Sequence, residues 1–344
     1  MKHPRAVIVP FACVVLALAS ALPARSQAPV PAASASPVQV QVGGFLSLEY
    51  IKGQAESAHP KGDATNLLAG VLAGGRIGQR FGFGLEGRVA DVTSFGLVQA
   101  WAGFLPSQAF TVKAGLFLVP FGAWNRSSRP YETVLVRTPL NLEYLYPADW
   151  RDIGVAVEGQ VGVMTYSAYL TGGLAEADRL GGGQQFRDNN NDWAKGGRLG
   201  FVVSQEIQAG VSYYTGKMDD QKLRDLVLEG IDLSWVTAQW EVRGEYTKAL
   251  VDNPAPFERG ESEGWYVLMS MSFRGVQPFG SFQKVRYTDG YHGGGIDIDH
   301  RRWAAGLRFV LSGTLFVKAE YDWNKEKGTV LKNDQAQVQL GVSF

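Results

Sequence analysis

Several residue types and patterns are scarce in this sequence. Its 344 residues include one cysteine, Cys13, and four histidines. A single cysteine excludes an internal disulfide, and none follows it to supply a reactive thiol. Acidic and basic residues are equal in number, at 33 each, which argues against a strongly basic nucleic-acid-binding protein. After residue 28 no run of 18 apolar residues occurs, so no transmembrane helix is predicted there.

Residues 1–28 have the features of a secretory signal peptide. Lys2 and Arg5 give a charged start, an apolar stretch covers residues 6–22, and two small-residue cleavage patterns follow. A transmembrane helix is the alternative, but the apolar run is short and Pro10 interrupts it. Removal of these residues would leave three more acids than bases. Residues 29–37, rich in Pro, Ala and Ser, predict a flexible periplasmic segment.

From residue 38 onward, apolar and polar residues alternate with the period of two that is typical of β-strands. Sixteen strands are predicted, at about residues 38–51, 66–77, 80–91, 95–104, 109–118, 151–160, 162–171, 195–203, 207–214, 226–235, 239–248, 262–273, 276–287, 298–310, 313–323 and 334–344.

The predicted connections alternate between short and long, and only the short connection at 92–94 departs from this pattern. Such alternation puts tight turns at one end of a sheet and long loops at the other, as in outer-membrane barrels. The sequence therefore predicts an all-β fold, a transmembrane antiparallel β-barrel of about 16 strands over residues 38–344. A secreted soluble β protein is the alternative.

The two faces of the predicted strands also favour a membrane barrel. One face is apolar and rich in aromatics near the strand ends, as expected for girdles at the membrane interfaces. The predicted girdle residues are Tyr50, Tyr246, Trp265, Tyr287, Trp303 and Trp323 on the loop side, and Phe273, Phe309 and Phe344 on the turn side. The other face carries glycine beside charges, which suits a water-filled lumen.

Two stretches resemble known families. The alternating residues 337–344, ending in Phe344, resemble the terminal signature of Gram-negative outer-membrane proteins. That resemblance implies recognition by the barrel-assembly machinery and a place in the cell outer membrane, among its lipid and lipopolysaccharide. Residues 113–122, 125–130 and 150–154 are similar to the phosphate-selective porin O/P family, which implies a pore but not phosphate as its solute.

Residues 119–150 form the third external connection in this count. The resemblance implies that this loop folds inward and narrows the pore, as the third loop does in sixteen-stranded porins. Four prolines stiffen the segment. An ordinary external loop is the alternative. The candidate constriction residues are Arg126, Arg129, Glu132, Arg137, Asp149 and Arg151.

Alternation along the strands predicts which charges line the lumen. The basic candidates are Arg76, Arg88, Lys113, Lys284, Arg286, Arg302, Arg308 and Lys318, and the acidic candidates are Glu158, Asp232, Glu241 and Glu245. A basic wall over strands 13–15 and 2–5 would face an acidic wall over strands 6–11. Each of these charges could instead form a structural ion pair.

The sequence thus favours an outer-membrane porin, a passive diffusion channel for small hydrophilic solutes with a mild preference for anions such as phosphate or carboxylate. A non-conducting structural or adhesion barrel is the second hypothesis. An outer-membrane hydrolase is the third, and only His292 or His300 could serve it. No catalytic residue, metal site or cofactor is predicted. A homotrimer is implied only by the resemblance.

Overall fold

The computed structural model describes residues 38–291 and 297–344. The predicted signal peptide, the predicted segment 29–37 and His292 lie outside the described residues and stay predictions. No helix in the described part is both long enough and apolar enough to cross a bilayer.

Sixteen strands account for most of the described chain. Their bounds are β1 Val38–Gly53, β2 Asp63–Ile77, β3 Phe81–Ala90, β4 Ser94–Ser107, β5 Phe110–Leu118, β6 Arg151–Val161, β7 Met164–Thr171, β8 Ala194–Val202, β9 Ile207–Lys217, β10 Asp225–Val236, β11 Trp240–Asp252, β12 Gly260–Met271, β13 Val276–Thr288, β14 Asp297–Val310, β15 Leu315–Glu326 and β16 Gln335–Ser343.

Each strand pairs with the next in an antiparallel register, and β1 pairs with β16 to close the barrel. Closure leaves no strand edge unpaired, which is the condition for β-structure to cross a bilayer. The prediction of a sixteen-stranded antiparallel barrel is confirmed. The connections sort into short turns at one end, here the turn end, and mostly long loops at the other, here the loop end. The short connection at 91–93 lies at the loop end, as predicted.

The barrel is apolar outside and polar inside, the reverse of a soluble protein. Leu48, Val71 and Leu340 are 43%, 60% and 49% exposed on the outer face, whereas Arg302 and Lys318 are fully buried inside. This contradicts the soluble alternative, because an exposed apolar belt of this kind is stable only in a non-aqueous medium. One girdle assignment was wrong. Tyr287 faces inward, is 2% exposed and packs against Tyr144 of the third loop.

The hydrophobic core lies inside the barrel and is built on the third loop, residues 119–150. This segment contains a 3-10 turn, Trp124–Arg126, and one short helix, α1 (Leu140–Tyr144). A second 3-10 turn, Leu180–Gly182, belongs to the fourth loop and contacts α1. Helix α1 packs closely on β12, where a Cβ added at Gly264 would stand only 3.0 Å from Asn141 Cβ. The third loop is therefore inside the barrel, and the ordinary external loop is contradicted.

Candidate pore constriction

Aromatic side chains hold the third loop against the inner face of β9 to β13. Trp150 contacts Tyr214 edge-on at 4.9 Å between ring centroids, and Trp124 meets Tyr266 in the same way at 5.8 Å. Phe121 packs edge-on against Tyr146 at 5.0 Å within the loop. All six side chains are at least 94% buried. Such pairs contribute beyond the area that they bury, so this contact fixes the loop as part of the fold.

Glu245 on β11 is the most connected polar anchor of the loop. Its carboxylate accepts backbone N–H donors from Ala123 at 3.0 Å and Trp124 at 3.3 Å. It also accepts the amide of Asn141 at 3.3 Å and the hydroxyl of Tyr146. All four hydrogen-bond partners of this buried carboxyl group are donors, so hydrogen bonds to the loop hold it in place.

Two further inward side chains take up backbone donors from the loop. Glu320 on β15 accepts the N–H groups of Val136 at 2.7 Å and Arg137 at 3.3 Å. Gln283 on β13 accepts the N–H of Leu140 at 3.0 Å, at the start of α1. A buried loop must satisfy its backbone groups without water, and these strands provide the acceptors.

Glu143 of α1 lies between two arginines. Arg302 on β14 donates to its two oxygens at 3.1 and 3.0 Å, and Arg137 donates to them at 2.8 and 3.3 Å. Arg302 also donates to the carbonyl of Thr138 and to Asn324, so its guanidinium is fully used. Burial alone would raise the pKa of Glu143, but the two guanidinium groups outweigh it and lower that pKa to about 2.

This pKa predicts how acid affects the loop. Glu143 has a lower pKa in the docked loop than its ordinary 4.5, so its contribution of about 3 kcal/mol is present above pH 4.5. It is lost as the pH falls towards 2. We expect the near-UV circular dichroism signal of the packed aromatics to stay constant down to about pH 4.5. Below that pH the signal should decrease, because this contribution to stability is lost. Glu143→Gln removes the contribution at every pH, so an identical acid transition in both proteins would contradict the assignment.

The inward residues Arg308 and Lys318 of β14 and β15 also hold the loop. Lys318 donates to Thr133 Oγ1 at 3.3 Å and to the carbonyl of Leu135 at 3.2 Å. Arg308 donates to the carbonyl of Tyr131 at 2.9 Å. These inward cations were predicted to form part of a basic wall for solutes. They bind carbonyl oxygens of the loop instead.

A second contact joins the loop to β3 on the opposite side of the lumen. Arg129 donates to Glu86 at 2.7 Å and to Glu132 at 2.9 Å. Arg88 donates to the same Glu86 at 2.7 Å and to Asp149 at 2.7 Å. These five residues form one continuous group, the charge cluster. It extends from the barrel wall to the first half of the loop and to its C-terminal end.

Cavities lie on both sides of the charge cluster. A cavity of about 550 Å³ towards the turn end is lined by Lys113, Arg126, Arg129, Arg198 and Glu158, among others. A cavity of about 270 Å³ on the other side is lined by Glu49, Arg88, Asp149 and Gln339, among others. A third, of about 420 Å³, shares Glu49 and Asn66 with the second and extends to His59 in the first loop. The charge cluster therefore lies between the turn-end cavity and the two cavities nearer the loop end.

The remaining predicted lumen residues form pairs along the wall. Lys113 lies 3.0 Å from Glu158, Arg198 lies 2.5 Å from Asp232, and Arg243 lies 2.6 Å from Glu241. Arg76 shares the inward face of β2 with Gly70 and is exposed near the turn end.

Arg151 is beside the constriction and not in it. Its guanidinium lies 5.3 Å from the ring centroid of Phe186 in the fourth loop and donates to the carbonyl of Asp149. Asp152, the next residue, is the one that points inward and is 1% exposed.

The prediction of a lumen-facing side chain was wrong for two residues. Lys284 and Arg286 lie on the outer face of β13, because Gln283 and Val285 between and beside them are buried inside. Phe282 shares the outer face and packs against Trp303 there. The inward residues of β13 are Ser281, Gln283, Val285 and Tyr287. They are as apolar as the outward residues, so alternation did not indicate which face of the strand points into the lumen.

Sequence reasoning also missed the groups that hold the loop. The inner face is apolar near the loop end of β9 and β10 and in the second half of β12, with Tyr214, Leu226, Leu228, Tyr266 and Leu268 all at most 1% exposed. Strands that are apolar on both faces could have indicated these contacts, because an inward face that meets only water has no need of apolar residues.

Comparison with solved structures identifies the architecture. The chain superposes on the outer-membrane OmpT of Vibrio cholerae with a TM-score of 0.64, at 12% identity over 90% of this chain and 99% of that one. It superposes on Salmonella typhi OmpF with a TM-score of 0.65, at 12% identity over 89% and 97% of the two chains. The chain has a porin fold. The outer-membrane channel DcaP of Acinetobacter baumannii shares it, with a TM-score of 0.62 and 11% identity over 89% and 97%.

Sequence comparison is less informative. No family model matches the chain, so the resemblance to the phosphate-selective porin O/P family stays a prediction. An uncharacterized protein of Aquifex aeolicus is 24% identical over 152 residues, which cover 40% of this chain and 34% of that protein. The match therefore spans about a third of that relative.

The described residues contain no candidate metal site, and His300 lies in the barrel wall. Within residues 38–291 and 297–344, no group of three or more His, Cys, Asp or Glu side chains could hold a metal ion. His300 is buried between β13 and β15, hydrogen-bonds Asn324 at 3.1 Å and lies 3.4 Å from Glu326. It is held in the wall beside Tyr144 and lines none of the three cavities described above.

Proposed function

We propose that this porin-fold barrel is an outer-membrane channel for the passive diffusion of small hydrophilic solutes. The observation that carries the proposal is the internal third loop, which narrows the lumen but leaves polar cavities on both sides of the charge cluster. A structural or adhesion barrel has no need of such cavities, and no observation favours that alternative.

A preference for small anions is part of the proposal. The turn-end cavity is lined by four cations, Lys113, Arg126, Arg129 and Arg198, against the single carboxylate of Glu158. Arg126 is exposed and forms no ion pair within the described residues, whereas the other three are paired. An unpaired guanidinium presents paired donors that match phosphate and carboxylate oxygens. The loop-side cavities carry no such excess of cations.

The channel is tested by single-channel recording of the refolded protein in planar bilayers. We expect discrete conductance steps and, in a salt gradient, a reversal potential displaced towards that of the anion. Arg126→Ala is expected to reduce that displacement, and Arg187→Ala, an exposed change in the fourth loop, leaves it unchanged. Folded protein that never produces steps would contradict the channel. Steps with a cation-selective reversal potential would remove only the anion preference.

The proposal includes the surroundings of the barrel. The apolar outer belt and the exposed Phe344, whose backbone pairs with Gly44 to close the barrel, suit an outer-membrane protein that the barrel-assembly machinery recognises. OmpT of Vibrio cholerae has been described in a trimer form. We propose that this chain also forms a homotrimer, because the short connection at 91–93 leaves space at the loop end for a neighbouring subunit.

A further inference from the structure

Three cations form a row across the outer face of β13, β14 and β15. Lys284 is directly opposite Arg301 in the strand register, and Arg301 is directly opposite Lys325. Neighbouring strands are about 4.8 Å apart, so the row spans about 10 Å. Gln283, Arg302 and Asn324, the adjacent residues, are buried inside, which places the basic row of Lys284, Arg301 and Lys325 outside.

An aromatic row lies one step nearer the turn end on the same three strands. Phe282, Trp303 and Trp323 are opposite one another in the register, two residues from the cations on each strand. Phe282 and Trp303 pack at 4.8 Å between centroids, and Lys325 Nζ lies 5.6 Å from the Trp303 ring centroid. Aromatic side chains of this kind occupy the level of lipid headgroups. The basic row lies about 7 Å nearer the loop end along the strands, at the level of the headgroup phosphates.

The basic row is poorly neutralised by the protein. Its nearest carboxylate is Asp299, whose Oδ1 lies 3.9 Å from Arg301 Nε. Glu263 lies opposite Arg286, one step further towards the loop end. Lys284 and Lys325 form no ion pair in the part of the chain that the structure describes.

Two other outward lysines at the loop end have close carboxylate partners. Lys217 lies 2.6 Å from Asp225, and Lys248 lies 2.6 Å from Glu261. The chain thus pairs outward lysines where carboxylates are available on the neighbouring strand, but it places three cations side by side on β13 to β15. Adjacent like charges on a sheet destabilise it unless an external anion compensates them.

We propose that the basic row binds the phosphate groups of a lipid headgroup in the leaflet at the loop end. Arg301 at the centre offers paired donors to phosphate oxygens, and the two lysines add charge on both sides. The aromatic row beneath contacts the glycerol or sugar region and the start of the acyl chains. The inference rests on the membrane placement of the barrel, and it does not depend on conduction.

The test is a lipid titration of the folded barrel in detergent micelles, with bound lipid counted by native mass spectrometry. The probe is a glucosamine-based lipid that carries two phosphates, and its dephosphorylated form is the reference. Each cation removed is expected to weaken binding roughly fivefold, so the variant Lys284→Gln/Arg301→Gln/Lys325→Gln should bind about a hundredfold more weakly. The control Lys61→Gln/Lys195→Gln/Lys332→Gln removes the same charge from exposed positions elsewhere at the loop end and should bind as wild type does.

The outcomes separate cleanly. Selective loss in the basic-row variant, with loss of discrimination between the two lipids, supports the site. Equal binding of both lipids by the wild type, or equal loss in the control, overturns it. If the triple variant does not fold, Arg301→Gln alone should still show the roughly fivefold loss, and no loss there overturns the proposal. Single-channel conductance of the basic-row variant reports separately on the channel, because these side chains lie outside the lumen.

Discussion

Replacing Arg302 by alanine is expected to lower the free energy of unfolding by about 3–5 kcal/mol. Arg302 is fully buried and gives Glu143 two of its hydrogen bonds. Without it, Glu143 keeps only Arg137, which also lies 3.9 Å from the buried Asp322. An incompletely compensated carboxylate group inside the barrel is the costly state. Urea unfolding of the refolded protein in detergent, followed by tryptophan fluorescence, measures the change.

The neighbouring residue provides a matched control. Arg301 has the same chemistry but points outward, so Arg301→Ala in lipid-free detergent should change stability by only about 0.5 kcal/mol. The double variant Glu143→Gln/Arg302→Met removes both charges and should recover part of the loss. Similar losses for the two single arginine variants would contradict the role given to Arg302.

Arg129→Ala is expected to increase single-channel conductance about twofold or more, because it removes one of the two links between the loop and β3. Its guanidinium donates to both oxygens of Glu86, at 3.3 and 2.7 Å, and Arg88 approaches the same carboxylate from the other side. The variant opens the lumen between the two cavities and leaves Glu86 less neutralised. We therefore also expect the reversal potential to move towards that of the cation.

The control for Arg129 removes the same charge away from the lumen axis. Arg187 is exposed in the fourth loop, and Arg187→Ala should leave both conductance and reversal potential as in the wild type. A second comparison, Glu132→Gln, removes a partner of Arg129 that does not reach β3, and it should have a smaller effect. An unchanged conductance in Arg129→Ala would mean that the charge cluster is not the narrowest point.

The strands and the loop order could be predicted because their signals are local. Alternation, turn length and the strand count depend on residues close in sequence, and all sixteen strands were found within a few residues of their bounds. The inward position of residues 119–150 came from the family resemblance, and the structure agrees with it.

The partners of individual charges could not be predicted in this way. Glu143 and Arg302 are 159 residues apart, and Arg129 and Glu86 are 43 apart. Nothing in alternation indicates which inward charge meets the loop and which meets water. Lys284 and Arg286 were placed inside because the alternation of β13 is ambiguous. The burial of Gln283, which is bound to Leu140, and of Val285 decides its face.

The internal loop divides the strands of the barrel into two groups that should respond differently to substitution. Strands β9 to β15 supply most of its anchors, from Ser212 to Glu320. Strands β16 and β1 to β8 line the cavities and contact the loop mainly through the charge cluster. A solute that crosses the barrel would travel beside the second group of strands, with the loop as its other wall. Substitutions of inward residues on the first group of strands should therefore change the yield and stability of the folded protein. Substitutions on the second group should change which solutes pass through the barrel.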